Sequence, residues 1–78
     1  PQPPYPPLAK IAKIQGMVMV EITIGVDGVP IKAVALEGPP QLRPMAEGYA
    51  MNWRFDPAML NGVPQTAKFK LTLNFKLK

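Results

Sequence analysis

A period of two runs over residues 17–26, with Val18, Val20, Ile22, Ile24 and Val26 on one side and Met17, Met19, Glu21, Thr23 and Gly25 on the other. Successive side chains of an extended chain point to opposite faces, so this period of two predicts a strand with one apolar face. Asp27-Gly28 follows, a pair suited to the positive φ angles of a two-residue type I′ turn, and predicts an antiparallel return from Val29 to Glu37. Gly38-Pro39-Pro40 ends that return. The period then lengthens: Leu42, Met45, Ala46, Tyr49, Ala50 and Trp53 recur at the spacing of one helix face. Pro44 suits the first turn, where its missing amide would have no partner. Gly48, mid-helix, costs about 1 kcal/mol relative to alanine.

An irregular stretch carrying Pro57, Asn61-Gly62 and Pro64 separates this helix from a second clean alternation. There Ala67, Phe69, Leu71, Leu73, Phe75 and Leu77 oppose Lys68, Lys70, Thr72, Asn74, Lys76 and Lys78, which predicts a long, half-buried strand. Near the start, Leu8, Ile11, Ala12 and Ile14 fall near helical spacing between Pro7 and Gly16 and predict one short helix. The first seven residues hold five of the eleven prolines and read as polyproline II, stiff and extended at about 3.1 Å per residue. The expected fold is therefore α+β in the order α-β-β-α-β. A small antiparallel sheet of three strands carries two helices on one face and meets water on the other. Residues 1–7 form the end of a proline-rich linker and residues 8–78 the domain.

Composition narrows what such a domain does. Its 78 residues, 47% of them hydrophobic, allow one core and little stability to spare for a deep cleft. Cys, His and Ser are all missing, so neither a Ser or Cys nucleophile with an imidazole base nor a thiolate or imidazole zinc site can be assembled. The five carboxylates, Glu21, Glu37, Glu47, Asp27 and Asp56, lack the spacing of a calcium loop or a two-metal centre. These absences point away from an enzyme, a metal or a cofactor. A net charge of +4 favours anionic lipid, nucleic acid or an acidic partner without choosing among them. The longest apolar runs are Met17 to Val20 and Ala33 to Leu36, far short of the roughly 20 residues a membrane-spanning helix needs. The chain opens on Pro1 without a basic-then-apolar start and reads as a fragment whose anchor lay upstream.

Proline placement separates the two sheet edges. Pro30 removes a ladder donor from the second strand and blunts that side, whereas no proline interrupts Gln65 to Lys78. If the first strand is central, the last strand presents unpaired N–H and C=O groups that can template a strand from another chain. The lysines along it either guard that edge or colour the choice of partner. Trp53 and Phe55, either side of Arg54, are expected to close the core. Base stacking is disfavoured, because Phe69 and Phe75 alternate to the face opposite the lysines.

Several of these segments together resemble the C-terminal domain of TonB-type energy transducers. The likeness runs through Tyr5-Pro6, Gln15-Gly16, Asp27-Gly28, Trp53-Arg54-Phe55-Asp56-Pro57-Ala58, Asn61-Gly62-Val63-Pro64 and Leu73-Asn74-Phe75-Lys76-Leu77. The resemblance implies an inner-membrane anchor, a proline-rich periplasmic spacer and this domain at the far end, driven by an ExbB and ExbD-like motor. It implies binding of the TonB box of an outer-membrane transporter as a strand added beside Leu71, Thr72, Leu73, Asn74, Phe75, Lys76 and Leu77, with Gln2 as a secondary contact. Leu8 and Pro44 stand where some members carry arginines. Related domains are also appended to membrane sensors and peptidases, and two copies pairing through their last strands form the alternative, a dimerisation module without a transport role.

Overall fold

The computed structural model describes residues 13–76. Strands β1 (Gly16–Ile24) and β2 (Pro30–Glu37) form a hairpin. A 3-10 turn (Pro40–Leu42) leads into helix α1 (Arg43–Met51), followed by β3 (Ala58–Leu60), β4 (Val63–Gln65) and β5 (Ala67–Phe75). The main sheet is antiparallel with order β2-β1-β5, and β3 and β4 pair as a separate two-stranded ribbon.

β1 lies in the middle, and its alternation becomes the core. Val18, Val20 and Ile22 are fully buried and Ile24 nearly so, joined by Leu73 and Phe75 from β5 and by Leu42, Ala46 and Ala50 from the helical segment. Each large aliphatic or aromatic side chain taken out of water contributes about 1.5–3 kcal/mol. α1 lies over β2 and β1 rather than over β5. Small side chains make that approach close: Ala46 and Ala50 share one helix face, and Ala33 and Ala35 of β2 pack against the core they help form. Arg43 Nε donates to the Gly38 carbonyl at 2.8 Å, tying the helix start to the end of β2. The opposite sheet face meets water, with Lys32, Lys68, Lys70, Thr72 and Asn74 exposed and Met17, Met19, Glu21 and Thr23 at least partly so.

Five expectations change. The expected first helix falls mainly on residues outside the described range, and its described end, Lys13 to Gln15, is not helical. β1 stops at Ile24, so Val26 is an exposed loop residue instead of a core one. The β1–β2 connection is not a two-residue type I′ turn. The Gly28 N–H donates to the Gly25 carbonyl at 3.0 Å and the Gly25 N–H to the Val29 carbonyl at 2.9 Å, with a positive φ at Gly28 but not at Val26 or Asp27. That is a three-residue loop, a type I turn followed by a left-handed glycine. Residues 58–65 are a hairpin rather than irregular, turned by Asn61 (φ 50°) and Gly62 (φ 79°) in type I′ fashion. Finally, α1 ends at Met51. Asn52 and Trp53 extend it only through tighter bonds, their amides donating to the carbonyls of Tyr49 and Ala50.

Candidate partner-binding edge

β5 pairs with β1 in unbroken register, from Gly16 opposite Phe75 to Ile24 opposite Ala67. Among the described residues no strand pairs with the other side of β5. The β1–β2 ladder differs, with register shifts between Met19 and Val20 and between Thr23 and Ile24. Irregular ladders bend and twist a strand, whereas an even one leaves it straight. The two outer edges are therefore unequal. β2 begins on Pro30, which has no amide to donate, and its Ala35 N–H is taken by the Glu47 carboxylate of α1 at 2.7 Å. On β5, residues 67–75 include no proline. A straight edge of main-chain donors and acceptors is a template for strand addition.

The residues expected to form the pairing strand divide by face. Leu71, Leu73 and Phe75 point inward; Leu71 is half-buried, Leu73 is 5% exposed and Phe75 is sealed. Thr72 and Asn74 are exposed on the opposite face, and Lys76 is exposed just past the strand. Leu77 and Gln2 lie outside the described residues, as does Leu8. Pro44 is exposed in the first turn of α1.

Across the open face, Lys32, Thr23 and Lys68 form one row over the three strands, and Val34, Glu21 and Lys70 the next. The first row carries two cations and no acid. On the inward side an aromatic string runs from the helix to the edge strand. Tyr49 meets Trp53 edge-on at 5.9 Å, Trp53 stacks on Phe55 at 6.0 Å, and Phe55 meets Phe69 edge-on at 5.1 Å. Trp53 and Phe55 are half-buried, so they flank the core rather than fill it.

Other surfaces offer less chemistry. An open cleft of about 330 Å³ between the β1–β2 loop and Thr66 is lined by one ionisable side chain, Asp27, whose Oδ1 already accepts from the Val29 N–H at 3.1 Å. Among the described residues no group of three or more acidic, His or Cys side chains is placed to hold a metal, and no helix is long and apolar enough to cross a membrane. Two functional features escaped sequence reasoning. Glu47 as a cover for β2 was signalled only by its being the one acid on α1, and the contact of Phe55 with Phe69 by nothing local.

Comparison with known proteins identifies the family. The family model described as Gram-negative bacterial TonB protein C-terminal matches residues 1–77. Protein TonB of Vibrio cholerae serotype O1 is 35% identical over 79 aligned positions, covering 99% of this chain and 32% of the relative. The chain thus spans about a third of the length of the curated relative it matches. With the family model matching residues 1–77 of its 78, this chain belongs to the TonB C-terminal family.

Proposed function

We propose that this domain is the periplasmic end of a TonB-type energy transducer, which binds the TonB box of an outer-membrane transporter by adding it as a strand beside β5. Among the described residues no strand pairs with the outer side of the proline-free β5, whereas the β2 edge is blunted by Pro30 and Glu47, and this contrast carries the reading. Residues Leu71 to Leu77 are the pairing strand and Gln2 a contact from the linker side. Family membership and the likeness to Protein TonB support the assignment. In the full-length protein, an upstream anchor in the inner membrane and an ExbB and ExbD-like motor would supply the force. The domain itself transmits force and catalyses nothing.

The physics of the edge bounds the interaction. About six net backbone bonds at roughly 0.5–1.5 kcal/mol each contribute on the order of 3–9 kcal/mol before association costs. Binding through the edge alone is then about micromolar or weaker. Such a contact still bears load when force runs along the strand, because several bonds must fail together in shear. Pulled as a zipper, they would fail singly. Titrating the ¹⁵N-labelled domain with a TonB-box peptide tests the site: amide shifts between residues 69 and 76 are expected, and their absence refutes it.

The same edge supports a second reading, a module that pairs with its own copy through β5. Sedimentation over a concentration series separates the two. A mass that rises toward a dimer without peptide supports self-pairing, and a constant monomer mass supports the transducer reading.

A further inference from the structure

β5 has two unlike halves. In the second half the inward side chains, Leu73 and Phe75, are sealed in the core. The first half is open on the same side: Phe69 is 38% exposed and Leu71 half-buried, because α1 lies over β2 and β1 instead. The ring of Phe55 supports Phe69 from one direction at 5.1 Å and leaves part of it to solvent. Turning to the other face, Lys68 and Lys70 bracket Phe69 in sequence and are both exposed. Lys68 shares its row with Lys32, an excess of positive charge, while Lys70 has Glu21 opposite.

A strand laid beside residues 67–71 must follow the same alternation. Its residue next to Phe69 points inward, and the two flanking residues point outward beside Lys68 and Lys70. We infer that this half of β5 selects a peptide with an acid–apolar–acid core, in which one bulky aliphatic or aromatic side chain packs on Phe69 and a carboxylate on each side faces the lysines. Opposite charges and apolar pairs on neighbouring strands attract, and like charges repel. The core is symmetric, so it serves either strand direction. Slipping by one residue would set an acid against Phe69 and the apolar side chain in water, so the same three residues fix the register. The inference rests on the strand-addition reading and places its selectivity N-terminal to Leu71, at Lys68, Phe69 and Lys70.

Three peptides of equal length in one threonine-rich host, differing only in a central Glu-Leu-Glu, Lys-Leu-Lys or Glu-Ser-Glu, test it by ¹⁵N amide shifts and Trp53 fluorescence. Glu-Leu-Glu is expected to bind tightest and to shift residues 67–71. Lys-Leu-Lys should bind about three- to tenfold more weakly at low salt, a gap that closes as salt screens exposed charges. Glu-Ser-Glu should be about tenfold weaker at any salt, having lost the apolar contact. Lys68→Glu, at an exposed position, should narrow or reverse the order of the two charged peptides. Phe69→Ala also removes the contact with Phe55, so the serine peptide tests the apolar arm without disturbing the domain. If all three bind alike, or shift only residues 72–76, the selectivity is wrong and strand addition stands. If none shifts any amide of β5, both fall.

Discussion

The Phe55 amide donates a hydrogen bond to the Gly28 carbonyl at 3.0 Å, pinning the stretch after α1 onto the loop that joins β1 and β2. Phe55 is the last link of the aromatic string before Phe69 on β5. It also leaves no room beside Gly28, where a Cβ would sit 1.9 Å from the Phe55 carbonyl oxygen, on a backbone with φ +82°. Gly28→Ala therefore meets both a left-handed conformation and a backbone clash. Destabilisation of at least about 3 kcal/mol is expected in urea unfolding, the sum of a left-handed penalty and displaced packing. A loss below about 1 kcal/mol would show that the loop yields freely.

Gly62 separates the two components of that cost. Its φ of +79° nearly matches that of Gly28, yet nothing lies within 4 Å of where its Cβ would stand. Gly62→Ala should then cost only the conformational part, about 1–2 kcal/mol. Gly62→Asn should cost less than Gly62→Ala, since asparagine tolerates the left-handed region. Measured side by side, Gly28→Ala must be clearly worse than Gly62→Ala. Equal losses would mean that the Phe55 contact contributes nothing.

Gly48 is the reverse case. It sits inside α1 with no positive φ and open space around its Cβ. Gly48→Ala removes backbone freedom from the unfolded chain without a clash and should stabilise the domain by about 0.5–1 kcal/mol. For a domain of this size that is a rise in Tm of about 2–8 °C. An unchanged or lower Tm would contradict the helix placement.

The alternation of β1 and β5 was legible because both strands are buried on one face only, and that face is written directly into Val18, Val20, Ile22, Leu73 and Phe75. Turns were read less well. Asp27-Gly28 signals a hairpin, but its three-residue form is held by local bonds at Gly25 and by a bond from Phe55, 27 positions away from Gly28, which no local pattern announces. Asn61-Gly62 carries an equally good turn signal, but the three-residue strands beside it are almost wholly exposed and give the sequence no burial pattern to mark them as strands. Trp53 kept helical spacing beyond the end of α1 because the last turn tightens instead of unwinding. The contrast between a β2 that begins on Pro30 and a proline-free β5 was legible from the prolines. The cover over β2 was not, because no local pattern tells how near Glu47 comes to Ala35.

That cover makes the last prediction, and the sharpest one about the two edges. Glu47 accepts from the Ala35 N–H at 2.7 Å in a partly buried setting, so a donor of β2 is spent on a side chain. Glu47→Ala leaves that donor without its acceptor and should cost about 1–3 kcal/mol, whereas Glu47→Gln keeps a carbonyl oxygen and should cost less. Hydrogen exchange localises the effect: the Ala35 amide should exchange at least about tenfold faster in Glu47→Ala, a factor equivalent to about 1.4 kcal/mol. Amides of the β1–β5 ladder should keep their relative protection, because β2 and β5 lie on opposite sides of β1. Peptide affinity at β5 should likewise hold, which distinguishes a cover that acts on one edge from one that props up the sheet. If Ala35 stays equally protected in Glu47→Ala, the blunting of β2 rests on Pro30 alone, and the contrast between the edges is weaker by one of its two supports.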